Sequence, residues 1–96
     1  MMRKAHSTGT VATEKGSRYL QQLCKHWSHK FPVEYDAKKG TVELAASRLI
    51  LTATPSELQV DLEVDHLDDL PRMKKVVAEH LDRFAFREAP LPFVWH

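Results

Sequence analysis

The chain has 96 residues, with 14 Lys and Arg against 13 Asp and Glu and a formal net charge of +1. A chain of this length hides roughly 60 to 70 per cent of its unfolded surface, which supports one core and excludes a two-domain architecture. The balance of charge leaves no global field to draw in DNA, RNA or an anionic membrane, so any charge-driven partner has to be recognised locally.

The only cysteine, Cys24, has no internal disulfide partner, and Met1-Met2-Arg3-Lys4 is followed by polar residues where a signal peptide needs an apolar run. No stretch approaches the roughly 18 unbroken apolar residues of a membrane-spanning helix. The expectation is a soluble, cytoplasmic protein without a membrane partner.

Residues 1–9 are small and polar without periodicity and are expected to form a flexible N-terminal arm, leaving 10–96 as a single domain. Thr10 to Thr13 is a short β-prone run, and Thr13 is the expected N-cap of a helix that runs to Phe31, where Pro32 stops it. Tyr19, Leu20, Leu23, Cys24, Trp27 and Phe31 fall on one apolar face of that helix, while Lys15, Gln22, Lys25 and Ser28 lie largely opposite.

After Pro32 the hydrophobic period changes from about 3.6 to 2, which marks a run of strands. Val33 and Tyr35 alternate with Glu34 and Asp36, and Ala37-Lys38-Lys39-Gly40 is expected to turn with Gly40 in a left-handed conformation. Thr41 to Ala45 returns the chain. Ala46-Ser47-Arg48 is expected to turn into a strand over residues 49–54. Leu58, Val60, Leu62 and Val64 then alternate with Gln59, Asp61, Glu63 and Asp65. Asp68-Asp69-Leu70-Pro71 opens a second helix whose apolar stripe is Met73, Val76, Val77, His80, Leu81 and Phe84, ending near Arg87. Pro90 and Pro92 force an extended tail that is expected to dock as an edge strand, with Trp27 and Trp95 as core and tail anchors.

These elements predict an α+β two-layer sandwich in β-α-β-β-β-β-α order: a mainly antiparallel sheet of about five strands with both helices on one face. Glu34, Asp36, Glu43, Asp61, Glu63 and Asp65 then share the open face. An acidic face without base-stacking rings is a poor nucleic-acid platform, so no nucleic-acid partner is expected; it reads as a solvated surface, with a basic partner or a weak divalent-ion site as the alternative.

His26 and His80 each lie on or beside the buried stripe of their helices, and both helices cover the same sheet face, so the pair is expected to converge. Arg83 and Arg87 follow His80 on its helix, and Arg18 precedes His26 by about two turns. Together these five residues define a candidate His/Arg patch for a carboxylate or phosphate, with bidentate arginine contacts and a histidine proton near neutral pH. A metal site built from Cys24, His26, His29 and His80 is not expected, because Cys24 lies about 200 degrees round the helix from His26. No phosphate-cradling glycine loop or nucleophile elbow is present, and no cofactor is expected.

The segments Arg18-Tyr19-Leu20-Gln21-Gln22-Leu23-Cys24-Lys25-His26-Trp27 and His80-Leu81-Asp82-Arg83-Phe84-Ala85-Phe86-Arg87-Glu88 resemble the two signature segments of a bacterial domain of unknown function, family number 2218. The likeness spans about Thr10 to Trp95. In that family the domain occurs alone or joined to siderophore-interacting proteins, which are flavin-dependent reductases. This chain lacks the flavin and nicotinamide parts, so the resemblance implies an accessory or ligand-sensing role near iron uptake and brings no catalytic residue.

The leading expectation is therefore a non-catalytic accessory domain that binds a small anionic ligand, or a partner protein of the siderophore-reductase type, through His26, His80, Arg83, Arg87 and Arg18. One alternative is a small enzyme using His26 or His80 as general base. Another is a structural module that dimerises, and the expected assembly is a monomer or weak homodimer.

Overall fold

The computed structural model describes residues 5–96. Strand β1 (Ala5–Ala12) leads into helix α1 (Gly16–Trp27), followed by β2 (Val33–Tyr35), β3 (Lys39–Leu44), β4 (Ser47–Ala53) and β5 (Glu57–Val64). A short 3-10 turn (Leu67–Asp69) runs into α2 (Leu70–Phe84), and β6 (Val94–Trp95) closes the chain. The fold is α+β, with one six-stranded sheet in the order β2-β3-β4-β5-β1-β6 and every pairing antiparallel.

β2 to β5 form a meander of adjacent strands, as short connections require. α1 carries the chain from β1 to the opposite edge, and α2 carries it back to place β6 beside β1. α1 packs against β2 to β5 and α2 against β1 and β5.

Period-2 alternation in β5 sends Leu58, Val60, Leu62 and Val64 into the core, all fully buried. α1 answers with Tyr19, Leu20, Leu23, Cys24 and Trp27, and α2 with Met73, Val77 and Leu81. Burying such side chains contributes about 1.5–3 kcal/mol each, so this two-layer core is the main stabilising term.

The expected flexible arm is corrected by β1, which takes in Ala5 to Gly9 and lies between β5 and β6; residues 1–4 of that arm lie outside the described residues. The inward positions of β1 include Ser7 and Gly9, which are small because other groups fill the space above them. A Cβ on Gly9 would stand 2.9 Å from the Trp95 ring, and Ser7 Oγ donates to the His96 carbonyl at 2.8 Å. The docked tail thus covers the half of β1 around Ser7 and Gly9, while Val11 supplies the strand's buried apolar side chain.

Three local expectations also change. α1 starts at Gly16 after Lys15, with no side-chain cap, and ends at Trp27, four residues before Phe31. Thr13 Oγ1 accepts from the Lys15 N–H at 3.1 Å and donates to Glu88, so it fixes the turn before the helix. Gly40 lies within β3 and no described glycine has positive φ; Ala46, at φ 57°, takes the left-handed position in the β3–β4 turn. Gly40 is required for close approach instead, because a Cβ there would lie 2.6 Å from Cys24 Sγ.

On the open face the pairing sets Arg48 between Glu43 and Glu63, and His6 and Thr8 opposite Glu63 and Asp61. Arg48 bonds Glu43, and Asp61 accepts from Thr8 at 2.7 Å and Gln59 at 3.1 Å. The acids are therefore interleaved with bases and hydroxyls, which moderates the expected acidic surface.

Burial pushes the Cys24 thiol up to about 11 from its ordinary value of 9.0. Burial, followed by the hydrogen bond to Glu88 and its charge, pushes the Tyr19 phenol up to about 12 from 10.0, against a small opposing effect of Arg18. A folded pKa raised above the unfolded value contributes stability that is complete below the unfolded pKa and lost as pH rises to the folded one. Chemical-denaturation midpoints are thus expected to hold to about pH 9 and then fall, through Cys24 first and Tyr19 above about pH 10. Cys24→Ala should flatten the first part and Tyr19→Phe the second. A decline unchanged in both variants would assign it to other groups.

Candidate functional site

The helices run antiparallel, with the start of α1 beside the end of α2. Lys15, Arg18, Gln22 and His26 follow one another along α1 at spacings of three and four residues, which sets them on one ridge beside α2. Phe84 divides the seam: its ring centroid is 6.0 Å from that of His26, and it also forms a wall of the cavity at the other end.

That first cavity, of about 320 Å³, is lined by Lys15, Arg18, Tyr19 and Gln22 and, from the other side, by Phe84, Phe86 and Arg87. Among the described residues none of the three cations forms an ion pair with a carboxylate. Two carboxylates lie nearby: Glu88 accepts from the Tyr19 hydroxyl and from Thr13 Oγ1 at 3.0 Å, and Glu14 lines an adjoining surface groove with Lys15 and Arg18. Tyr19 is buried and remains a protonated donor across the neutral range, so this cluster ties the turn after α2 to the start of α1.

At the other end, a groove of about 390 Å³ is lined by His26, Trp27, Lys30 and Phe31 with Arg72, Val76 and His80. The His26 and His80 ring centroids are 6.0 Å apart, and His80 stands 5.0 Å from Trp27. His80 Nδ1 lies 2.7 Å from the Val76 carbonyl. A carbonyl only accepts, so this contact assigns the proton to Nδ1 and leaves Nε2 as the acceptor of the neutral ring.

The expected single patch is thus two sites. His26 and His80 do meet, and Arg18 meets Arg87, but the two pairs open into different cavities. Arg83 is exposed and lines neither. Cys24 points into the sheet against Gly40 while His26 is exposed on the helix, so the two side chains diverge. Among the described residues no three His, Cys, Asp or Glu side chains are grouped to hold a metal.

Lys15, Gln22 and Phe86 escaped the sequence reading, as did the Thr13–Tyr19–Glu88 cluster. The ridge spacing from Lys15 to His26 was a usable signal for the first two residues. Nothing in the sequence pairs Glu88 with Tyr19, because that contact spans 69 positions.

Fold and site together describe a small α+β domain with a cation-lined cavity at its helix seam. Residues 8–96 match the family described as uncharacterized protein conserved in bacteria (DUF2218), and the chain belongs to that family. It is similar to the protein in the NMR structure of PA4090 from Pseudomonas aeruginosa, with 38% sequence identity and a TM-score of 0.80. The likeness covers 99% of this chain and 96% of that one. No curated protein matches the sequence.

Proposed function

We propose that this domain is a non-catalytic binding module that holds a small organic anion in the cavity between the start of α1 and the end of α2. The carrying observation is that Lys15, Arg18 and Arg87 line one cavity without a described carboxylate paired to any of them. Converging like charges repel, and an anion that accepts hydrogen bonds from them relieves that cost. The Arg fork suits carboxylate or phosphate, and Lys15 adds a point charge.

Isothermal titration of acetate, benzoate and inorganic phosphate at low salt tests the site. Arg87→Ala and Arg18→Ala should each weaken binding about 10-fold or more, since a hydrogen bond to a charged group contributes about 1.5–3 kcal/mol. His80→Ala should leave the affinity unchanged, because His80 opens into the other groove. Absence of anion binding by the wild type, or wild-type affinity in both arginine variants, would overturn the proposal.

The enzymatic alternative draws on the fixed orientation of His80, whose Nε2 is left as an acceptor. A general base acts on a proton within hydrogen-bond reach, so a cleavable ligand whose turnover is abolished by His80→Ala would favour it. The role as a cytoplasmic accessory to a siderophore-reductase type protein draws its support from the resemblance to the family.

A further inference from the structure

Resting on that anion-binding reading, we infer that the ligand is an aromatic carboxylate, with its acid group attached directly to the ring. Phe86 is 70% exposed on the same cavity whose wall includes the half-buried Phe84. At that exposure Phe86 contributes little to the core and leaves much of its ring open to a ligand. The Arg87 guanidinium carbon stands 5.8 Å from the centroid of that ring. The guanidinium lies over one face of Phe86, so the two form one platform on which a planar ring packs against the remaining face and edge while its acid group meets the cation.

This adjacency selects the ligand class. The ring surface and the cation are neighbours, so a bound aromatic whose charge sits at the end of a long spacer, as in a nucleotide, would carry its anion past Arg87. An acid group bonded to the ring keeps both contacts. Arg18 and Lys15 then approach the carboxylate from α1. The volume of about 320 Å³ lies at the small end of ligand sites, which span about 300–1,000 Å³, and suits one or two rings. The Gln22 side chain, also on the wall, has no hydrogen-bond partner among the described residues and offers an amide to a polar ring substituent.

The test compares benzoate, cyclohexanecarboxylate, acetate and phenyl phosphate by titration against wild type, Phe86→Leu and Arg87→Gln, with amide NMR shifts to locate each ligand. Benzoate should bind about 2- to 10-fold tighter than cyclohexanecarboxylate, which has the same charge and a similar size but no π face. That preference should disappear in Phe86→Leu, whose exposed position makes the change benign to folding. Arg87→Gln should weaken all the carboxylates together. Equal binding of benzoate and cyclohexanecarboxylate would overturn the aromatic assignment while leaving an anion site standing. Tighter binding of phenyl phosphate would overturn the carboxylate assignment. Failure of every anion to bind would overturn both this inference and the function on which it rests.

Discussion

Leu20→Ala should lower the thermal midpoint by about 10 °C or more. Leu20 is fully buried where α1 lies on the sheet, and its Cδ2 is 3.4 Å from the place a Gly40 Cβ would occupy. Truncating a buried leucine removes its transfer free energy and leaves a cavity, together costing about 2–5 kcal/mol. Domains of this size have only about 5–15 kcal/mol to lose, and each kcal/mol shifts the midpoint by about 4–8 °C. Leu67→Ala is the internal comparison, because Leu67 is 65% exposed. Its effect should remain within about 0.5 kcal/mol. Comparable losses in the two variants would mean that α1 does not dock as described.

Gly40→Ala should be the most damaging single-methyl addition in the sheet, and Cys24→Ala should rescue part of the loss. The new Cβ would stand 2.6 Å from Cys24 Sγ and 3.3 Å from Tyr35 Cβ. Cys24 is fully buried on the core face of α1, so relief requires a rotamer change or a shift of the helix. Overpacking of this kind typically costs about 1–3 kcal/mol. Removing Sγ deletes the closest contact and leaves the ones that neighbouring groups can absorb. Urea denaturation of the two single variants and the double variant should therefore give a double variant more stable than the sum of the single losses predicts. Simple additivity would show that the clash is relieved elsewhere.

The candidate site was legible in the sequence only along each helix. Helical period placed His26 and His80 beside the buried stripes, and their 6.0 Å approach follows from two helices covering one sheet face. The same reading joined Arg18, Arg83 and Arg87 to them, yet Arg18 and Arg87 open into another cavity and Arg83 into neither. Spacing along a helix gives the azimuth of a side chain. It does not give the axial offset between two helices, and that offset sets Arg18 beside Arg87 and His26 beside His80.

By itself the sequence determined the α+β class, the run of strands after Pro32, the buried face of β5 and the two amphipathic helices, because hydrophobic period is a local property set by backbone geometry, whereas the strand order came from the tertiary structure. Tertiary structure alone decided that Ala5–Ala12 is an interior strand, that Gly40 makes room for Cys24, and that Glu88 takes the hydroxyls of Tyr19 and Thr13. In each case one partner is small or polar and draws its stabilisation from residues distant in sequence, which leave no periodic trace. The cation-lined cavity belongs with these, since it exists only where the start of one helix meets the end of the other.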